Sequence, residues 1–282
     1  MSDIVANIVM LGLVGAVAGY VSGLFGIGGG AVMVPALFFA FRSLGVDPGV
    51  VMHCAVATSA AVIIFNGYRS VRSHRARDSV DMGLLWPPSV GRPWWNSYAL
   101  WIAVGSFLAA SVLAPRLSSA VLTIIFAAVA LLVALQFTFG RPEFSLRGEV
   151  PGGAGPPVVG GGIGALSAIM GIGGGSLSVP FLTLCGMPVH RAVGTAAGFG
   201  LAIAIPATVG FVLSGWGVEG RPPLSLGYVN VLGLALIVAF AWPFVPLGTR
   251  SAHRLQAGHL RKIFGVALAL IALNMARIAL LG

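Results

Sequence analysis

The chain has 282 residues, of which 57% are hydrophobic and 8% charged, with 41 Gly and 7 Asp and Glu against 16 Lys and Arg. A soluble domain draws about a quarter of its residues from the four charged types, so the composition excludes an ordinary water-soluble enzyme and points to lipid as the solvent. The formal charge of +9 sits in short connections between apolar runs, as membrane orientation requires, with no aromatic interleaving or motif for nucleic acid.

In chain order the apolar segments are 4–23, 31–46, 50–68, 97–114, 118–137, 156–170, 176–188, 191–213, 224–243 and 263–281. A spanning helix needs about 20 residues, so they predict an all-α polytopic membrane protein with about eight to ten membrane segments. The first run follows Met1-Ser2-Asp3-Ile4 without a basic region or a small-residue cleavage site, so it reads as a span and not as a signal peptide. Basic clusters lie at Arg69, Arg72, Arg75 and Arg77 and at Arg250, Arg254, Arg261 and Lys262. With every segment crossing and the N-terminus outside, 12 of the 16 Lys and Arg fall inside, including those in the loops 69–96 and 244–262. That is the expected orientation in an inner membrane. Trp86, Trp94, Trp95 and Trp101 read as interface anchors, and Cys54 and Cys185 as small buried hydrophobes.

The strongest signal is an internal repeat. Residues 14–38 and 159–183 share 12 of 25 positions at an offset of 145, including Ser22/Ser167, the run Gly26–Gly30/Gly171–Gly175 and Pro35/Pro180. A second block, 53–60 against 190–197, shares five of eight positions at an offset of 137. The repeat divides the chain into an N-terminal half, 1–137, a polar linker, 138–155, and a C-terminal half, 156–282. Five apolar segments per half is an odd number, which gives the halves inverted topology, a recurring architecture of secondary transporters.

The runs Gly26-Ile27-Gly28-Gly29-Gly30 and Gly171-Ile172-Gly173-Gly174-Gly175 are not nucleotide loops: the third glycine of a dinucleotide fingerprint is replaced by Ala31 and Ser176, and no Lys-Ser/Thr pair follows. No cofactor, metal site or ATP-driven step is expected. Glycine runs break helices, and broken backbone at membrane depth is tolerated where it lines a cavity or is buried in protein. The helices that start after the breaks then point uncapped N–H groups inward, which suits an anion. Pro35 and Pro180 lie about a turn into those helices, where a missing N–H costs little beside an irregular turn. The competing reading is that the glycines serve only close helix packing, as the ladder Gly15, Gly19, Gly23 does.

No Asp or Glu lies inside an apolar segment, which argues against cation binding or a carboxylate proton relay. The polar groups that remain, His53, Thr58, Ser59, Asn66, His190, Arg191, Thr195 and Asn274, are donors and suit an anion with several acceptor oxygens. Thr58 and Thr195 recur one turn into matching helices and are the leading contacts together with Gly28, Gly29, Gly30, Ser59, Gly173, Gly174 and Gly175. His53 and His190 either touch substrate or bond to backbone. Arg191 is either an attractor for the anion or an interface anchor. Asn66 and Asn274 read equally as helix-to-helix glue and as ligand contacts.

The segments GLFGIGGGAVMVPAL and GIGGGSLSVPFL resemble the TauE/SafE family of sulfite and organosulfonate exporters, over nearly the whole chain. The resemblance implies an integral inner-membrane protein of seven to ten helices that moves small sulfur-containing anions such as sulfite or sulfoacetate. It also implies that Gly26–Gly30 and Gly171–Gly175, with Pro35 and Pro180, lie near the substrate path. The expected partners are a small anionic substrate and the lipid bilayer, with no nucleic acid; oligomeric state is not set by the residues. The alternatives are an anion channel, a carrier of another small oxyanion or carboxylate, and a non-transporting scaffold. An intramembrane enzyme lacks a catalytic set.

Overall fold

The computed structural model describes residues 2–25, 28–85, 94–139, 148–252 and 258–281. Gly26, Ile27, Trp86, Arg92, Arg141, Arg147 and Arg254 lie outside the described residues. In chain order the elements are α1 (Ser2–Phe25), α2 (Gly30–Ser43), α3 (Val51–Arg75), α4 (Met82–Leu85), α5 (Tyr98–Leu108), α6 (Ser119–Phe139), α7 (Gly161–Met170), α8 (Gly175–Leu184), α9 (Val189–Ser214), a two-strand hairpin β1 (Ser225–Leu226) and β2 (Val229–Asn230), α10 (Val231–Ala241), α11 (Val245–Ala252) and α12 (Gly258–Leu281). The fold is therefore mostly helical, and its helices follow the apolar segments closely.

Five described helices are long and apolar enough to cross a membrane: Val51–Arg75, Tyr98–Arg116, Ser119–Phe139, Val189–Ser214 and Phe264–Leu281. The pair α10 and α11, bent by 45°, makes a sixth if it is one span. Four shorter apolar helices remain, Val9–Phe25, Gly30–Ser43, Pro156–Met170 and Gly175–Leu184. A ten-residue helix is about 15 Å long, half the thickness of a bilayer core, so α8 does not cross alone. The ten predicted segments are present, but four of them belong to two glycine-broken pairs.

Three local differences from the sequence reading have clear causes. Residues 225–230, expected to begin an apolar helix, form the hairpin, registered Ser225 to Asn230 and Leu226 to Val229, because Pro222, Pro223 and Gly227 precede the first helix-competent run. The expected loop 244–262 contains α11 and the start of α12; α10 ends at Ala241, before Pro243, and α11 resumes at Val245, bent by 45° from it. The span starting at α5 continues through a π turn, Ala109–Leu113, and a 3-10 turn, Ala114–Arg116, where Pro115 withholds its N–H; Ser214 Oγ donates to the Ala110 carbonyl at 3.1 Å.

The halves are interleaved. On α1, a Cβ added to Gly15, Gly19 or Gly23 would overlap the backbone of Ile237, Ala241 or Val245 in α10 and α11. On α7, a Cβ on Gly164 would overlap the Ile102 carbonyl of α5. Each half thus lends its first helix to the other half's fourth segment through backbone contact, which only glycine permits. Helices α2 and α8 both end in a left-handed glycine, Gly45 and Gly186, with the Val46 N–H donating to Phe41 and that of Met187 to Leu182, the Schellman arrangement.

Helices α3 and α9 form the centre and run antiparallel. Gly194 and Thr195, near the start of α9, meet Ser79 and Asp81 just beyond the end of α3. At the opposite end, Tyr228 stacks on His53 near the start of α3 with ring centroids 5.1 Å apart, and its N–H donates to Phe211 near the end of α9. The outer helices α6 and α12 instead expose Leu132, Leu135, Leu270 and Leu273, as lipid-facing surfaces do.

The ladder is directly testable. Gly23→Ala is expected to lower stability by about 1–3 kcal/mol, because its Cβ overlaps fixed backbone, while Gly45→Ala, with open space around it, pays only the left-handed backbone cost of about 1–2 kcal/mol. Thermal unfolding in detergent, with Gly23→Leu as a third variant, checks this: Gly23→Leu must be far worse than Gly23→Ala.

Candidate functional site

Each glycine run contains left-handed backbone: φ is +72° at Gly28, +80° at Gly29, +62° at Gly171 and +83° at Gly173. A side chain there would be strained, so the breaks are written by glycine itself. Gly29 is the N-cap residue of α2 and Gly174 that of α8, and neither helix is capped by a side chain. The two turns touch. A Cβ on Gly30 would overlap the Gly171 carbonyl and Ile172. The carbonyl of Gly171, freed by the end of α7, accepts from Ser59 Oγ at 2.8 Å.

The central helices set the depth of this contact. Gly28 packs against Ile63, the middle residue of α3, and Gly174 against Ala196, Phe199 and Gly200 near the middle of α9. Ile63 and Gly200 are repeat-equivalent at the offset of 137. Of the expected contacts, Gly28, Gly29, Gly30, Ser59, Gly173, Gly174 and Gly175 are thus brought to one level. Pro35 and Pro180 lie inside α2 and α8, five residues beyond their first residues, where neither can donate to the carbonyl four residues earlier.

Thr58, next to Ser59, and Thr195, next to Ala196, are already engaged. Thr58 Oγ1 accepts from the Asn230 N–H at 2.9 Å, and Thr195 Oγ1 from the Asp81 N–H at 2.9 Å. Both donors belong to residues that organise the start of a helix: Asn230 Oδ1 accepts from the Gly233 N–H at 2.8 Å, and Asp81 Oδ1 from the Gly83 N–H at 3.0 Å. The repeated threonine is therefore a latch that holds a segment of the opposite half against each central helix.

His53, His190 and Arg191 are farther off, at the helix starts, about 15 Å along the axis from the glycine level. His53 Nε2 lies 3.1 Å from the Ala114 and the Leu117 carbonyl oxygens, so it carries a proton and donates to backbone. His190 is exposed. Arg191 pairs with Asp81 at 3.1 Å, the side chains being 52% and 30% exposed, a contact worth about 0–1 kcal/mol. Asn274 is exposed on α12, whereas Asn66 is fully buried in α3.

Sequence reasoning missed the buried serines. Ser22, Ser70, Ser167, Ser176 and Ser178 each bury a hydroxyl that has no hydrogen-bond partner among the described residues, as do both amide atoms of Asn66 and Nε of Arg69. The recurrence of Ser22 as Ser167 was the available signal. A serine in an apolar helix ordinarily bonds its own helix backbone, so the sequence did not mark these hydroxyls as open. Among the described residues, no group of three or more His, Cys, Asp and Glu side chains converges to hold a metal.

Comparison with known proteins follows the same outline. The profile of the family described as sulfite exporter TauE/SafE matches residues 11–275. A probable membrane transporter protein of Haemophilus influenzae is 31% identical over 268 residues, covering 93% of this chain and 96% of the relative. Probable membrane transporter proteins of Methanocaldococcus jannaschii and Bacillus subtilis, the latter YunE, are 27% and 29% identical, each covering 94% of this chain and 94% and 96% of the relatives. No solved structure matches. With apolar helices long enough for several spans and a match across nearly its whole length, the chain is a multi-pass membrane transporter and belongs to the sulfite exporter TauE/SafE family.

Proposed function

We propose that the chain is a secondary transporter that moves a small sulfur-containing anion, an organosulfonate such as sulfoacetate or sulfite, across the inner membrane by alternating access at the interface of two inverted repeats, 1–137 and 156–282. One observation carries this reading: the two glycine turns meet halfway along antiparallel, repeat-equivalent helices. Two equivalent hairpins that approach one point from opposite ends of a helix pair provide a central site that either end can open to. The broken backbone at that point presents N–H groups and helix N-termini to an anion. The N-terminus outside and the basic segments 69–96 and 244–262 inside remain the orientation that the charges favour.

The latches supply the gates. Asn230 and Asp81 are held on opposite ends of the α3–α9 pair, so releasing one latch loosens one end and leaves the other closed. His53, stacked on Tyr228, and the Arg191–Asp81 pair lie beside these latches and act at the gates, not at the central site.

Three measurements test the proposal. In proteoliposomes, internal unlabelled sulfoacetate is expected to accelerate uptake of labelled sulfoacetate; a conductive flux without this trans-stimulation identifies a channel. Gly29→Leu and Gly174→Leu are expected to abolish that uptake while membrane insertion, governed by segment hydropathy, stays near wild type; retained transport defeats the broken-helix site. Thr195→Val strands the Asp81 N–H and should cost about 1–3 kcal/mol, against under about 1 kcal/mol for Arg191→Gln, read as detergent thermal unfolding. A larger loss for Arg191→Gln would move the latch to the ion pair.

A further inference from the structure

Between the glycine turns and the basic end of α3 lies a set of buried donors with no hydrogen-bond partner among the described residues. Ser22 and Asn66 are 0% exposed and Ser70 is 1% exposed; none of these side chains has a hydrogen-bond partner among the described residues, and neither does the buried Nε of Arg69. Contacts on either side bracket them. Above, Ala18 of α1 meets Gly29, and Ile63 of α3 meets Gly28. Below, His74 Nε2 of α3 lies 3.3 Å from the Gly23 carbonyl oxygen of α1. Ser22, one turn from Ala18, and Asn66 and Ser70, one and two turns from Ile63, fall between these two anchors. The Arg69 guanidinium lies 4.5 Å from the Trp242 ring centroid, at the bend between α10 and α11 that packs on Gly19 and Gly23.

The second half keeps the first of these groups, Ser22 recurring as Ser167, and shows that the frame does not need the three on α3. At the offset of 137, Asn66, Arg69 and Ser70 correspond to Ile203, Pro206 and Ala207 in α9, and Ile203 and Ala207 are buried and apolar. Equivalent helices in equivalent packing use hydrocarbon there. A buried amide left unpaired costs about 1–3 kcal/mol, so retaining one beside two open hydroxyls and a cation demands an occupant. The charge balance selects its class. No carboxylate lies on α3, α10 or α11, and Asp3 of α1 is about five turns from Ser22. The available hydrogens come from two hydroxyls, an amide and a guanidinium, which match the oxygens of an oxyanion.

We propose that Ser22, Asn66, Arg69 and Ser70 form an oxyanion station on one side of the glycine turns, a second stop between the central site and the basic end of α3. The station rests on the transport reading, and it makes the path chemically asymmetric: polar towards the basic end and apolar in the equivalent stretch of α9.

The test uses the full chain, in detergent for binding and in proteoliposomes for transport, with sulfite, sulfoacetate and sulfate as probes. Wild type is expected to gain thermal stability with at least one probe. Asn66→Leu, close to isosteric, should unfold no earlier than wild type without anion, yet lose that gain and raise the transport KM about tenfold. Asn66→Asp should remove the gain altogether, and Arg69→Gln should weaken it more than Arg69→Lys does. Where Asn66→Leu does not reach the membrane, the Arg69 pair carries the same test. Unchanged anion stabilisation and KM in Asn66→Leu, or in Arg69→Gln, overturn the station and leave the transport reading standing. A wild type that neither binds nor moves any of the three probes overturns both.

Discussion

The fold depends on two stretches of backbone coming closer together than any side chain allows. Gly30 lies against the Gly171 carbonyl and Ile172, and a single Cβ at that position would drive the two turns apart. Ending α7 in mid-protein frees carbonyls that water cannot reach, and such groups are costly unless paired. Ser59 meets this need by donating to the Gly171 carbonyl from α3. Glycine at the contact, serine beside it and a short helix on either side are parts of one solution to a single problem, a broken helix in a dry interior.

The same constraint explains why the halves interleave. A short helix such as α8 buries too little surface to hold itself at mid-depth, so each hairpin leans on the long helices: Gly28 on Ile63 of α3, and Gly174 on Gly200 of α9. Those long helices are in turn tied at their far ends by the opposite half, through Thr58 to Asn230 and Thr195 to Asp81. A threonine hydroxyl suits this task because its branched carbon packs in a helix while its oxygen accepts the one N–H that a helix-starting residue leaves unpaired. The result is a centre with two ends, each tied to the opposite half by a threonine hydrogen bond.

The sequence made the segments, the breaks and the glycine ladder legible because each has a local cause: hydropathy, left-handed backbone, or the absence of a Cβ. The roles of particular polar residues were not legible, because they are decided by partners far along the chain. Thr58 was singled out by its recurrence as a leading substrate contact, whereas the partner it has in the structure, the Asn230 N–H, is 172 residues away. Asn66 and Asn274 look alike in sequence, yet one is buried and the other faces outward on α12; a helix apolar all round gives little periodicity from which to phase its faces. His53 and His190 occupy equivalent positions, but only His53 lies beneath the Tyr228 hairpin.

That last contrast carries a more general argument. A repeat supplies its own control: where both halves keep a residue, the shared architecture accounts for it, as with the glycine turns, the latching threonines and the prolines of α2 and α8. Where the halves part company in the same packing environment, architecture no longer accounts for the difference. Asn66, Arg69 and Ser70 against Ile203, Pro206 and Ala207 is such a place, and the departure leans one way, towards the end of α3 that carries Arg72 and Arg75, with Arg77 just beyond it. On the proposed path, an anion leaving the proposed central site would meet donors and then cations on that side, and the apolar side chains of Ile203 and Ala207 in the equivalent stretch of α9. Symmetry builds the two-ended frame; the broken symmetry sets the chemistry of each end.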